Sequence, residues 1–117
     1  MSSYNFVMLS GRVMTPPRRQ YRPDGSTVIE FPLELNETNG QSQKKSKINI
    51  VAIGKLAEKK SELLECGKHL LVKGRLNQRQ WKTPDGRRRM CFEVIATELK
   101  SIEENKKIKE KENEKTC

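Results

Sequence analysis

Aromatic side chains are scarce in this 117-residue chain: three Phe, two Tyr and one Trp, 5% of all residues. Histidine occurs once, at His69. A lone histidine opening an apolar strand is far more often structural than catalytic. The three cysteines, Cys66, Cys91 and Cys117, are odd in number and widely spaced. They form neither a CxxC metal pair nor an even disulfide framework, so free thiols in a reducing compartment are expected. Apolar runs are only a few residues long, far below the ~18–20 that cross a bilayer. No charged n-region followed by an apolar h-region marks a secretory signal. Walker A, GxGxxG and paired Asp/Glu constellations are missing too. These absences argue against an enzyme and imply no cofactor, no metal and no membrane partner.

Positive charge is what the chain has in excess: 24 Lys+Arg against 15 Asp+Glu, a formal net charge of +9. Residues 1–100 hold 19 basic and 10 acidic side chains, whereas residues 101–117 hold five Lys and five Glu. The whole excess therefore lies in the first hundred residues. A basic domain of this size favours a polyanion, nucleic acid first.

The pattern along the chain predicts strands at Tyr4–Met14, Thr27–Glu37, Ile48–Ile53, His69–Trp81 and Arg87–Leu99. Thr27–Glu37 has the clearest period of two, with Ile29, Phe31, Leu33 and Leu35 on one face. Pro32 within it cannot donate to a ladder and should fall at an edge or bulge. Gly11 should mark a bulge or sharp bend. Thr15–Ser26 is expected to be a loop or a pair of short extended arms, and Thr38–Lys47 a flexible hairpin loop. Leu56, Ala57, Leu63 and Leu64 predict a helix over Lys55–Cys66, stopped by Gly67. Five strands with one helix between the third and fourth is the element order of an OB-fold, a five-stranded Greek-key barrel. One domain is expected over 1–102, followed by a charged, disordered tail over 103–117.

Two turns echo one another. Tyr21-Arg22-Pro23-Asp24-Gly25 and Trp81-Lys82-Thr83-Pro84-Asp85-Gly86 each set an aromatic ring and a cation just before a Pro-Asp-Gly tip. Arg79 shares a strand face with Trp81, being two residues away. A ring and a guanidinium side by side can stack a base and neutralise its phosphate. Lys82, Arg87 and Arg89 should line the edge of the second turn, as Tyr21 and Arg22 line the first. Arg12, Lys47, Lys73 and Arg75 are candidate phosphate neighbours.

Several segments resemble the bacterial single-stranded DNA-binding protein family. They are Val7-Met8-Leu9-Ser10-Gly11-Arg12-Val13, Tyr21-Arg22-Pro23-Asp24-Gly25 and Phe31-Pro32-Leu33. Further along come Ile53-Gly54-Lys55-Leu56-Ala57-Glu58, Val72-Lys73-Gly74-Arg75-Leu76, Arg79-Gln80-Trp81 and Glu93-Val94-Ile95-Ala96. The resemblance covers about residues 4–102. It implies an OB-fold that assembles as a dimer or tetramer and binds single-stranded DNA largely without sequence preference, in replication, repair or recombination. Lys55 matches a DNA-contact position of the family, and Trp81 matches a stacking aromatic. Lys47 and Ile53 stand where the family carries other aromatics, so a larger electrostatic share of binding is expected. The long members end in an acidic tip that recruits other enzymes; this chain ends Lys115-Thr116-Cys117. A short member without that tip also resembles the primosomal replication protein B group, adaptors for restart helicase loading. Replication or restart helicase machinery is thus a further expected partner, and a cytoplasmic, nucleoid-associated location follows. An RNA-binding OB module and a protein–protein adaptor are the remaining alternatives.

Overall fold

The computed structural model describes residues 4–39 and 42–102. Six strands and one short helix follow in order: β1 (Val7–Val13), β2 (Arg18–Tyr21), β3 (Thr27–Asn39), β4 (Ser42–Ile53), α1 (Lys55–Lys59), β5 (His69–Lys82) and β6 (Arg88–Ser101). A 3₁₀ turn, Ser61–Leu63, follows α1. The strands are ordered β1-β5-β6-β4-β3-β2, and an additional β1–β3 pairing closes the sheet. The closed ring has five strands; β2 is added outside it, along β3.

Alternation decides which side chains fill the ring. Ile29, Phe31 and Leu33 of β3 meet Ile50 and Ala52 of β4, Leu70 and Val72 of β5, and Val94 and Ala96 of β6. Ala57 of α1 and Leu64 join the same core. Each fully buried large aliphatic or aromatic side chain here stabilises the fold by about 1.5–3 kcal/mol. Val51 of β4 is also buried, although it faces away from this core.

Two devices let β3 serve three neighbours. Its first residues pair with β2 as far as Glu30↔Arg18. Pairing with β1 begins only at Leu33↔Val13. Pro32 falls in the gap between those two partners, where no donor is needed, while its other side faces Asn49 of β4. Gly11 sits where β1 passes close to β3: a Cβ there would lie 2.3 Å from the Glu34 carbonyl oxygen. Close approach, rather than a bulge, is what the glycine provides. The register irregularity lies instead between Lys73 and Gly74 in the β5–β6 pair.

Three expectations change. The helix lies between the fourth and fifth strands, not the third and fourth, because the Thr15–Ser26 segment contributes β2. That segment's extended arm is a real strand, bonded to β3 over four residue pairs. The helix itself is one α-turn rather than twelve residues. Ser61 donates its hydroxyl to the Glu58 carbonyl at 3.3 Å, and Leu63 and Leu64 then bond three residues back instead of four. This local competition ends the α-helix while still seating Leu64 in the core. Thr38, Asn39 and Ser42–Lys47, expected in a hairpin loop, are ladder, since β3 and β4 stay paired out to Asn39↔Ser42. The tail over 103–117 lies outside the described residues.

Candidate nucleic-acid interface

Residues out of phase with the core form the outer face of the sheet. On β5 these are Arg75, Asn77, Arg79 and Trp81; on β6, Cys91, Glu93 and Ile95; on β4, Asn49, Val51 and Ile53; on β3, Val28 and Glu30. The register places Arg79 opposite Cys91 and Trp81 opposite Arg89. The parallel β4–β6 pairing sets Asn49 beside Glu93. A cleft of about 320 Å³ opens across this face, and Tyr21 and Arg22 of the first turn reach its rim.

The cleft floor carries charge of both signs. Glu30 and Glu93 are both buried. Arg79 stands between them, 3.6 Å from Glu30 Oε1 and 3.5 Å from Glu93 Oε1. Arg18 pairs with the other Glu30 oxygen at 3.6 Å. Burial works against the Arg79 charge, but the Cys91 side chain and the two carboxylates outweigh it and hold the guanidinium pKa above its ordinary value. The same guanidinium carbon lies 5.5 Å from the centre of the Trp81 ring, within cation–π range. One ring face is thereby backed by a cation, and Trp81 remains 44% exposed.

Both Pro-Asp-Gly tips share one hydrogen-bond frame. In the first, Arg22 N–H donates to the Ser26 carbonyl and Gly25 N–H to the Arg22 carbonyl. In the second, Thr83 N–H donates to the Arg87 carbonyl and Gly86 N–H to the Thr83 carbonyl. Gly25 and Gly86 adopt φ of 89° and 87°, the left-handed region that favours glycine. Asp24 accepts from the Ser26 hydroxyl and backbone N–H; Asp85 accepts from the Thr83 hydroxyl and the Arg87 N–H. These bonds hold both aspartates below the ordinary carboxylate range, Asp24 chiefly through the Ser26 side chain and Asp85 chiefly through Thr83. The echo in the sequence is therefore an echo in geometry, and each tip carries an exposed aromatic.

The structure sorts the candidate residues. Arg79, Trp81, Tyr21 and Arg22 gather at the cleft. Lys82 joins Trp81 and Arg88 around a shallower pocket beside it. Arg75 lies exposed on the same β5 face, opposite Ile95. Arg87 is exposed and 3.5 Å from Asp85; Arg89 is exposed across from Trp81. Lys55 is exposed at the start of α1, just after Ile53. Lys47 is exposed opposite Glu34. Lys73 is engaged by Glu98 at 3.1 Å. Arg12 is not brought to the cleft: its guanidinium donates to the Gly67 carbonyl at 3.2 Å, clasping β1 to the segment before β5. Cys91 is a free thiol. Among the described residues, no group of three or more His, Cys, Asp or Glu side chains is placed to hold a metal. Nor is any helix long and apolar enough to cross a membrane.

Pattern reading missed Glu30, Glu93 and Asn49. Their faces were legible from strand alternation, but their meeting depends on the non-local β4–β6 pairing.

A five-stranded closed barrel with one exposed, cation-backed aromatic, a cleft and two basic turns defines an OB-type barrel. Comparison with known proteins agrees. Residues 4–102 match the model of the single-strand binding protein family, and the chain belongs to that family. It is 30% identical over 108 residues to the single-stranded DNA-binding protein of Thermotoga maritima, covering 88% of this chain and 77% of that one. It is 35% identical over 103 residues to single-stranded DNA-binding protein 2 of Clostridium acetobutylicum, with 85% and 77% covered. Against the Neisseria meningitidis relative, at 32% identity, it spans 60% of the longer protein. The fold matches that of the Plasmodium falciparum SSB complex with ssDNA, with a TM-score of 0.79, 26% identity, and 88% and 98% of the two chains covered.

Proposed function

We propose that this chain binds single-stranded DNA, largely without sequence preference, in replication and related DNA transactions. The observation that carries this is the Arg79–Trp81 pair: one ring face backed at 5.5 Å, the ring itself exposed at a cleft between two basic turns. Bases stack on such a ring whatever their identity, contributing roughly 1–3 kcal/mol per base. Tyr21, at 67% exposure, offers a second platform. Arg22, Lys82, Arg87, Arg88 and Arg89 flank the rings, with Lys55, Lys47 and Arg75 extending the positive path. The named relatives favour this reading over a primosomal adaptor or an RNA module. The work is binding rather than catalysis. Replication or restart helicase machinery is the partner class that fits, at the nucleoid.

The chain acts as a homo-oligomer through β1. Tyr4, Phe6 and Met8 are 101%, 66% and 52% exposed. The strand pairs with β5 along one edge, but with β3 only at Arg12 and Val13 on the other. An unpaired, apolar strand edge is a template for a second copy.

Titration of the single Trp fluorescence with oligo-dT and with duplex, at two salt levels, tests the binding. Oligo-dT should quench strongly and duplex weakly, and log K should fall with log salt by roughly 0.7 per phosphate contact. Equal binding of duplex, or no quenching at any salt, would sink the proposal.

A further inference from the structure

We infer that the cleft above Glu30 and Glu93 is a base subsite that favours a base with an exocyclic amino group over thymine. The inference rests on the single-strand-binding function proposed above and adds to it a preference at one position.

The two carboxylates are deeply placed, with side chains 10% and 5% exposed. Yet every polar contact they make is long. Asn49 donates to Glu30 Oε1 at 3.3 Å and Asn77 to Glu93 Oε2 at 3.4 Å. The Arg18 and Arg79 pairings lie at 3.5–3.6 Å. Glu93 Oε1 has no hydrogen bond at all. A satisfied carboxylate draws cationic donors to roughly 2.7–2.9 Å. Buried acceptor capacity left open is costly, and here it lines an open cleft.

A ligand that enters the cleft can supply the donor, and the cleft's shape says which kind. Val51, Ile53 and Ile95 supply apolar walls, while the polar groups gather at the floor. At about 320 Å³ the space is at the small end of ligand sites, fit for a single flat ring. Glu30 and Glu93 offset Arg18 and Arg79, so the floor has no net charge to draw a phosphate, which stays with the cations of the basic turns. A base edge is left to face inward.

Base edges differ in what they offer a carboxylate. Thymine's one donor, N3–H, is flanked by two carbonyl oxygens that a carboxylate repels. Cytosine presents its N4 amino group at the corner of the edge, with N3 and O2 beside it as acceptors for Asn77 and Arg79. Adenine presents N6 and N1 in the same sense, and guanine presents its N2 amino group beside N1–H. Glutamate accepting from cytosine N4 is an established recognition pairing. Arg79 is half exposed and held only by long contacts, so it can shift to admit the ring.

The test uses the full chain and Trp81 quenching by oligo-dC, oligo-dT, and oligo-dC carrying two methyl groups on N4. A mildly alkaline pH keeps cytosine N3 unprotonated. Oligo-dC should bind about fivefold more tightly than oligo-dT, the low end of what one good base contact discriminates. Dimethylation should erase that gap, and Glu93→Leu should narrow it. Equal affinity for oligo-dC and oligo-dT, or a gap that survives dimethylation of N4, overturns the subsite while leaving single-strand binding intact. Failure to bind any of the three oligonucleotides overturns single-strand binding itself and the subsite with it.

Discussion

Replacing Arg79 with glutamine separates two roles that a basic residue beside an aromatic can play. If Arg79 were a free phosphate contact, its loss would flatten the salt dependence by roughly 0.7 in slope. Its charge is instead shared between Glu30 at 3.6 Å and Glu93 at 3.5 Å, so little of it is left for a phosphate. The expected slope change in Arg79→Gln is therefore near zero. What is lost is the backing of Trp81, worth about 0.5–1 kcal/mol for a half-exposed cation–π pair, or two- to fivefold in affinity at every salt level. Stability should suffer more than binding. Two buried carboxylates lose the cation between them, a penalty of about 1–3 kcal/mol. For a domain near 100 residues this lowers the melting temperature by roughly 5–20 °C. Lys82→Gln is the control: no carboxylate engages Lys82 among the described ion pairs, so its loss should flatten the slope by roughly 0.7 and leave melting unchanged. Fluorescence titrations at four salt concentrations and a thermal melt supply both readouts. Arg79→Gln with a flattened slope and an unchanged melting temperature would refute the neutralised-arginine account.

Gly11→Ala should destabilise the fold by about 1–3 kcal/mol or more, because its Cβ would press on the Glu34 carbonyl where β1 closes the ring; a denaturant melt matching wild type would contradict the close-approach explanation. The turn aspartates carry a definite sign. Asp24 and Asp85 are held below the ordinary range by hydrogen bonds to their ionised forms. Their contribution is present above the unfolded aspartate pKa and is lost as pH falls through the lower folded value. Amide shifts of Ser26 and Arg87 should thus titrate with midpoints below those of unfolded aspartates, and coincident midpoints would dismiss the turn frame. Phe6→Glu together with Met8→Glu should reduce the sedimenting species to one chain without lowering the melting temperature of the barrel, since both side chains are exposed; an unchanged oligomer would clear β1 of the role.

Alternation made most of the barrel legible. Ile29, Phe31 and Leu33 could face nowhere but inward, and Thr27–Glu37 was placed within two residues of the observed strand end. Arg18–Tyr21 escaped because its four residues are all exposed and its strand character comes from pairing with β3, not from its own pattern. The helix was overextended because Leu63 and Leu64 keep helical spacing even after Ser61 has diverted the backbone. At the site, Trp81 with Arg79 and the twin turns were readable because each lies within a few residues of the other. Glu30 and Glu93 lie 63 positions apart and meet through the ring, which no local pattern encodes. The Arg12 bond to Gly67 was illegible for the same reason, since the two lie 55 residues apart.

The β5–β6 hairpin has a further consequence. Its proximal half supplies Leu70, Val72, Val94 and Ala96 to the core, whereas beyond Asn77 nearly every side chain is exposed, Met90 and Phe92 included. Substitutions along that distal arm leave the barrel's packing untouched and alter only the surface proposed to bind. Lineages of this chain are therefore free to retune length, charge and aromatic content at Gln78, Gln80, Lys82 and Arg87–Arg89 in small steps. Arg79 is the exception in the arm, because it alone reaches back to Glu30 and Glu93. Variation there would have to arrive together with a change in the carboxylates, which makes Arg79 the position where adaptation of binding and survival of the fold become one problem.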